Sequence, residues 1–372
     1  MKVTLERAAL LKALGHVYRI VERRNTIPIL ANVLVEADKD GLLLKGTDLS
    51  VETTERAPAE VAKAGATTVA AHILFDIVGK LPDGAQVSLE ADGDASRLTL
   101  RSGRSRFQLQ CLPASDFPAL SAGDMPHRFE LEAAELGRLI DKTQFAISQE
   151  ETRYYLNGIY LHVVESSGKH ALRAVATDGH RLARVETPAP KGAVGMPGVI
   201  VPRKAVGEVR KLLADAEGTV TVEVSPTKAR FVVGSAALTT KLIDGTYPDY
   251  ARVIPQGNDK RLVVEKQAFK DAVDRVSTVS SDRGRAVKLA VGDGKMTLSV
   301  NNPDSGSATE EIEVDYDSTP IEIGFNSRYL LDIAAQVDGD TALVRLADSG
   351  SPTLFQDRDG ASALFVLMPM RV

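Results

Sequence analysis

Hydrophobic positions follow two alternating periods along this chain. Runs of period two, such as Val3-Thr4-Leu5-Glu6, read as strands with one buried face. Apolar spacings of three and four, as at Leu10, Leu14 and Val17, read as helices. The same strand-then-helix pattern returns at Phe129-Glu130-Leu131-Glu132 with Leu136, Ile140 and Thr143. It returns again at Leu262-Val263-Val264-Glu265 with Phe269, Val273 and Val276. The offsets are 126 and a further 133 residues, and they carry Leu30 onto Leu156 and then Leu289. Farther along, Thr47-Asp48 corresponds to Thr177-Asp178 and, more loosely, to Asn301-Asn302. Such spacings exceed the roughly 20–50 residues of a solenoid repeat, so each copy is a domain rather than a stacking unit.

Each copy contains the strand–helix unit twice. Strand patterns at 68–70, 199–201 and 321–323 lead into helical patterns over 73–81, 203–213 and 326–335. Alternating segments with Asp-Gly turns follow each helix and predict antiparallel hairpins. Pro-bearing strands close the copies at Leu112-Pro113, in the 243–248 segment and at Leu367-Met368-Pro369. The fold class is α+β, with three repeated and internally duplicated domains at 1–122, 126–254 and 259–372, bounded where Gly, Pro and Asp collect.

Composition narrows the function. The 372 residues are 44% hydrophobic and 26% charged, which suits folded domains and excludes a disordered or collagen-like chain. One cysteine, Cys111, rules out an intramolecular disulfide and a Cys-rich zinc site. No run resembles a signal peptide or a membrane span, so a soluble cytoplasmic protein is expected. Net charge is −5, less basic than a protein that grips DNA mainly by neutralising phosphates.

The positive charge is nonetheless concentrated. Residues 1–24 hold six basic and two acidic side chains, and Lys12, His16, Arg19 and Arg23, at i, i+4, i+7 and i+11, share one helical face. Residues 199–212 hold four basic against one acidic. Two segments read as strands contrast: Arg101, Arg104 and Arg106 in the 101–107 block stand without an acid, whereas residues 304–317 carry six acids and no base. Complementary blocks in the first and third copies suit head-to-tail association.

Thr177-Asp178-Gly179-His180-Arg181-Leu182 can be read as an acid/base pair or as an Asp-Gly turn. Thr47-Asp48-Leu49 occupies the same place in the first copy without a histidine, which favours the turn. The six histidines lack metal-ligand spacing and no Gly-rich phosphate loop follows a strand, so no catalytic residue, metal or cofactor is expected. The last nine residues, Leu364 to Val372, are apolar almost throughout and read as a paired strand with an adaptable Met-Pro-Met tip.

Several segments together resemble the bacterial sliding-clamp family, the beta subunits of DNA polymerase III. They are Thr26-Ile27-Pro28-Ile29-Leu30, Arg101-Ser102-Gly103-Arg104-Ser105-Arg106-Phe107, Arg153-Tyr154-Tyr155-Leu156-Asn157-Gly158 and the Thr177 to Leu182 turn. Val201-Pro202-Arg203-Lys204, Asp244-Gly245-Thr246-Tyr247-Pro248-Asp249-Tyr250 and Met368-Pro369-Met370-Arg371 complete the set, in family order.

The resemblance implies a head-to-tail homodimeric ring, helices lining the hole and sheets outside. Such a ring encircles duplex DNA without sequence preference and tethers the replicative polymerase, conferring processivity. The clamp loader and other proteins with clamp-binding motifs are implied partners. It implies DNA contacts at Arg24, Gln149, Arg153, Tyr154, Arg203 and Lys204. It implies a partner-peptide pocket at Leu156, Thr177, Gly179, His180, Arg181, Leu182, Pro248, Arg252, Val253, Pro352, Leu367, Met368, Pro369, Met370 and Arg371. The dimer interface would use Arg104, Arg106, Phe107, Thr278, Val279, Asp304, Glu310 and Glu311. His72 stands where the family often has a more basic residue. A DNA-independent peptide-binding scaffold is the alternative from another functional class.

Overall fold

The computed structural model of the chain describes residues 1–23, 25–92, 96–120, 123–166, 168–214, 216–280 and 285–372. Of the positions named above, Arg24 and Ala122 lie outside the described residues. Six α-helices form among those described: α1 (Arg7–Val17), α2 (Ala71–Lys80), α3 (Ala133–Asp141), α4 (Arg203–Leu212), α5 (Lys266–Ser277) and α6 (Ser327–Ala334). Each begins directly after a strand, as the repeat predicts. No linker is needed where the last strand residue is also the cap. Glu265 accepts the Gln267 and Ala268 N–H groups at the start of α5, and Asn326 accepts those of Arg328 and Tyr329 at the start of α6.

The chain forms two compact units. Unit 1 comprises Met1–Gly137, Pro190–Pro197 and Lys204–Ile243; unit 2 comprises Arg138–Ala189, Gly198–Arg203 and Asp244–Val372. In unit 1 a thirteen-stranded antiparallel sheet runs, from one edge, through His127–Glu132, Thr219–Val224, Lys228–Val233, Ala236–Lys241, Val51–Ala57, Gly41–Thr47 and Asn32–Asp38. It continues through Gly65–Ala70, Ser105–Leu112, Arg97–Ser102, Gln86–Ala91 and Lys2–Glu6 to Glu60–Lys63. The alternating strands bury one face. Val33, Val35, Leu42, Leu44, Leu89 and Leu98 meet Leu10, Leu14 and Val17 of α1 and Leu74 and Val78 of α2. Each such side chain removed from water contributes roughly 1.5–3 kcal/mol.

Unit 2 contains two antiparallel sheets. The nine-stranded one is ordered Val199–Pro202, Gly158–Ser166, Lys169–Thr177, Arg181–Pro188, Ala363–Leu367, Thr353–Gln356, Thr341–Leu346, Lys260–Glu265 and Asp315–Tyr316. The four-stranded one is ordered Gly306–Glu313, Lys295–Asn302, Ala286–Gly292 and Ile321–Asn326, with α5 packed against α6 and the first two of these strands. The hairpin turn signals behave as expected. Asp293 and Gly294 both have positive φ, +52° and +72°, and join strands in a two-residue turn.

Two expectations are corrected. The helix carrying Lys12 ends at Val17, so Arg19 and Arg23 do not extend its basic face, and His16 turns inward to Glu55 at 3.0 Å. The 243–248 segment is not a strand; the preceding strand closes at Lys241. Pro248 and Gly245 interrupt the alternation that a strand needs there.

Candidate functional site

The chain's apolar end is built into unit 2. Ala363–Leu367 pairs on one side with Arg181–Pro188 (Arg181 opposite Leu367) and on the other with Thr353–Gln356 (Thr353 opposite Leu367). Beyond Leu367 the backbone stays tied down. The Met368 N–H donates to the His180 carbonyl, and the Met370 N–H to the Gly324 carbonyl, both at 2.9 Å. Glycine is required at 324, since a Cβ there would lie 2.6 Å from the Met370 carbonyl oxygen and 2.3 Å from Val372 Cγ1.

Along this tail opens a cleft of about 600 Å³, lined by Lys288, Glu322, Ile323, Gly324, Ser349, Gly350, Pro369, Met370, Arg371 and Val372. Among the expected pocket positions, Pro369, Met370 and Arg371 line it. Met368 is 40% exposed beside them, while Leu156, Leu182 and Leu367 are buried in the supporting core. Pro352 is half-buried just after the Ser349-Gly350 turn that forms one wall. Lys288 and Glu322 carried no signal in the sequence.

The Thr177–Leu182 segment is a turn, not an acid/base pair. Asp178 Oδ1 accepts the His180 and Arg181 N–H groups at 3.0 Å each, and Oδ2 accepts Arg181 Nε at 3.1 Å. Thr177 Oγ1 donates to the Arg181 carbonyl at 2.7 Å and accepts the Gly179 N–H at 3.1 Å. Gly179 has φ +87°, and a Cβ there would lie 2.7 Å from Arg153 Nη1. Unit 1 repeats these bonds: Thr47 Oγ1 with Val51 and Leu49, and Asp48 Oδ1 with Ser50 and Val51. There the left-handed position, φ +75°, is held by Leu49.

Arg181 organises the surroundings of its turn. Besides Asp178, its guanidinium donates to Asp332 and to the Phe145 carbonyl (2.7 Å), and it lies over the rings of Tyr329 (4.2 Å) and Phe145 (5.1 Å). A second cleft, of about 310 Å³, adjoins it, lined by Ile147, Ser148, Gln149, Glu150, Asp178, His180, Arg181, Arg328 and Tyr329. Burial raises the Tyr329 phenol above its ordinary pKa, with Asp178 adding to the shift.

Pro248, Arg252 and Val253 lie in a segment fastened to the Gly158–Ser166 and Lys169–Thr177 strands. Tyr247 stacks on Tyr160 at 4.7 Å, and the Tyr250 hydroxyl meets His162 Nε2 and Arg173 Nη1 at 3.0 Å each. Burial, reinforced by the Arg173 charge, pushes the His162 imidazole down to about 4. Val253 is 49% exposed, and Arg252 pairs with Asp249 at 2.9 Å.

The positions expected to meet DNA differ in their freedom. Gln149 and Arg203 are exposed. Arg153 pairs with Glu150 at 3.2 Å, and the 54%-exposed Tyr154 stands edge-on to Tyr155. Lys204 of α4 hydrogen-bonds Asp48 and lies 4.0 Å from Glu22. Burial tends to raise the Asp48 carboxyl, but Lys204 and the Val51 and Ser50 N–H groups outweigh it and hold the pKa below its usual value. His72 is also engaged, its Nε2 bonded to the Val21 carbonyl at 2.8 Å.

The charged blocks lie on strands with an unpaired edge. Ser105–Leu112 pairs fully with Arg97–Ser102, but with Gly65–Ala70 only through Cys111 and Leu112. Gly306–Glu313 ends its sheet. Both strands alternate exposed and half-buried positions in the same order. Arg104 and Arg106 are exposed without an ion pair among the described residues, and Phe107 is half-buried beside them. In unit 2 two of the three expected acidic partners are already engaged. Glu310 accepts two bonds from Arg275, which lowers its pKa, and Glu311 pairs with Lys295 at 2.7 Å. Thr278 caps α5, and the Val279 carbonyl accepts Asn302 Nδ2 at 3.0 Å.

A fold of repeated strand–helix units, with a cleft at its last strand and free strand edges, is the architecture of one family of proteins. Models of the N-terminal, central and C-terminal domains of the DNA polymerase III beta subunit match residues 1–121, 130–249 and 251–371. The chain belongs to the DNA polymerase III beta subunit family. It is 56% identical over 372 residues to the beta sliding clamp of Caulobacter vibrioides and 39% identical over 373 to that of Escherichia coli, each chain covered completely. The crystal structure of the DnaN sliding clamp of Bartonella birtlesii, bound to griselimycin, is similar with a TM-score of 0.97 at 55% identity, covering all of both chains.

Proposed function

We propose that this chain is a DNA sliding clamp: a head-to-tail homodimer that encircles duplex DNA and tethers the replicative polymerase, conferring processivity. Full-length similarity to beta sliding clamps supports it. The observation that carries the docking half is the cleft of about 600 Å³ walled by Pro369, Met370 and Arg371. In this reading the domains are 1–122, 126–254 and 259–372, and the protein works in the cytoplasm as a holder rather than a catalyst.

The residues take distinct parts. Arg24, Gln149, Arg153, Tyr154, Arg203 and Lys204 make weak, mobile contact with the duplex. A net charge of −5 suits this, since a closed ring is retained by topology rather than by affinity. The Arg104–Phe107 edge of one copy meets the strand of Asp304, Glu310 and Glu311 in the other, beside Thr278 and Val279. Ion pairs between exposed groups give about 0–1 kcal/mol each, so backbone pairing and Phe107 packing dominate that interface. Short apolar segments of the clamp loader, polymerase and other partners dock at the tail and the Thr177–Leu182 turn, with Pro248, Val253 and Pro352 at the rim. Each buried anchor gives roughly 1.5–3 kcal/mol, which keeps the complexes exchangeable.

The deciding experiment loads the protein onto nicked circular DNA with a clamp loader and then linearises the circle. A sliding ring stays on the circle and runs off the ends. Equal retention on both forms, or none on either, refutes the reading.

A further inference from the structure

The inference rests on the docking reading and adds the chemistry of one subsite. Within the cleft of about 310 Å³ beside the Thr177–Arg181 turn, most charges are already matched. Asp178 is committed to Arg181, and Glu150 pairs with Arg153. Arg328, the second residue of α6, is exposed and makes no ion pair among the described residues. One positive charge is left over. Ser148 on the opposite wall is only 1% exposed; its oxygen accepts the Glu150 N–H at 3.2 Å, which leaves its hydroxyl proton to donate. The Tyr329 side chain adds a second hydroxyl.

Unit 1 supplies an internal precedent. Lys204, the second residue of α4, occupies the place in its repeat that Arg328 occupies in α6, and it engages the carboxylates of Asp48 and Glu22. Asp48 corresponds to Asp178, and the 126-residue offset carries Glu22 onto Ser148. Unit 2 therefore has the cation without the carboxylates. Its aspartate is taken by Arg181, where unit 1 has Val51, and a serine replaces its glutamate. We infer that Arg328 marks a carboxylate-binding subsite, which receives an Asp or Glu side chain next to the apolar anchors of a docked partner segment. The subsite adjoins the docking tail through His180, which lines this cleft and whose carbonyl holds Met368.

The test uses the full-length protein and two synthetic peptides with identical apolar anchors, one carrying a neighbouring Glu and the other Gln. The unaltered protein binds the Glu peptide about three- to tenfold more tightly, as expected for a partly exposed charge-assisted hydrogen bond, and the preference shrinks with added salt. Arg328→Ser removes the preference without weakening the Gln peptide, and Arg328→Lys retains part of it. Equal binding of both peptides by the unaltered protein overturns the subsite, as does a preference that survives Arg328→Ser. It is likewise overturned if Arg328→Ser shortens residence on circular DNA and leaves peptide preference intact. Failure of both peptides to bind refutes the docking reading itself, a separate result.

Discussion

The Arg181 guanidinium carbon lies 4.2 Å from the centroid of the Tyr329 ring, joining a strand-end residue to a helix 148 positions later in the chain. The same group satisfies Asp178, Asp332 and the Phe145 carbonyl. Truncation would take this donor from Asp332 and the Phe145 carbonyl, while Asp178 would keep only its two backbone N–H donors. Arg181→Ala should cost about 3–5 kcal/mol, and Arg181→Lys, which cannot repeat the planar fork, about half of that. Urea denaturation read by circular dichroism checks both values.

Shortening the chain by Met368–Val372 should abolish peptide binding. The dimer should survive, because the free strand edges lie elsewhere. Fluorescence anisotropy with a labelled apolar peptide measures the first, and native mass spectrometry the second. An unchanged peptide affinity would show that the tail is not a wall of the site.

Native mass should give twice 39.9 kDa at micromolar concentration. Phe107→Glu, which adds charge to a half-buried position on the unpaired edge, should weaken the dimer more than tenfold. Raising salt should matter much less, because Glu310 and Glu311 keep their own partners in unit 2.

Lys204→Ala should affect DNA loading less than Arg153→Ala. The Lys204 ammonium is held by the mostly buried Asp48 carboxylate, whereas Arg153 has a half-exposed ion-pair partner in Glu150 and a long 3.5 Å bond to the Asp178 carbonyl. Loading efficiency on nicked circles, measured for each variant, orders the two.

Stability should fall with acid partly through His162. Its imidazole titrates near 4 in the folded chain against about 6.5 unfolded, so between those values the unfolded state binds more protons. The contribution is therefore complete above pH 6.5 and is lost as pH drops towards 4. Solvent screening limits it to about 1–2 kcal/mol. Melting temperatures from pH 4 to 7 should fall less steeply for His162→Gln than for the unaltered chain.

Local periodicity made the helices and hairpins legible, because their apolar spacings and turn residues lie within one short window. The end of α1 was not legible. Arg19 and Arg23 keep helical spacing with Lys12, yet the helix ends at Val17, and no Gly or Pro follows closely to mark that end in the sequence. The clefts were half legible. Met368-Pro369-Met370 stood out as an apolar terminus and His180 as a turn residue. Lys288, Glu322 and Tyr329 reach the same surfaces from two separate strands and a helix, and strand order leaves no trace in a linear pattern. The Lys204–Asp48 pair was hidden for the same reason, its members being 156 positions apart.

The divergence between Leu49 and Gly179 sets a stoichiometry. Both turns use the same backbone hydrogen bonds, but Leu49 puts a side chain of its own at the left-handed corner where Gly179 has none, so under the proposed docking reading each chain offers one berth between these two turns rather than two. The proposed ring of two chains then carries two. While a polymerase occupies one, a second client can wait on the other at the high effective concentration that tethering provides. Exchange becomes a handover on the same ring, independent of how scarce the incoming client is in bulk solution.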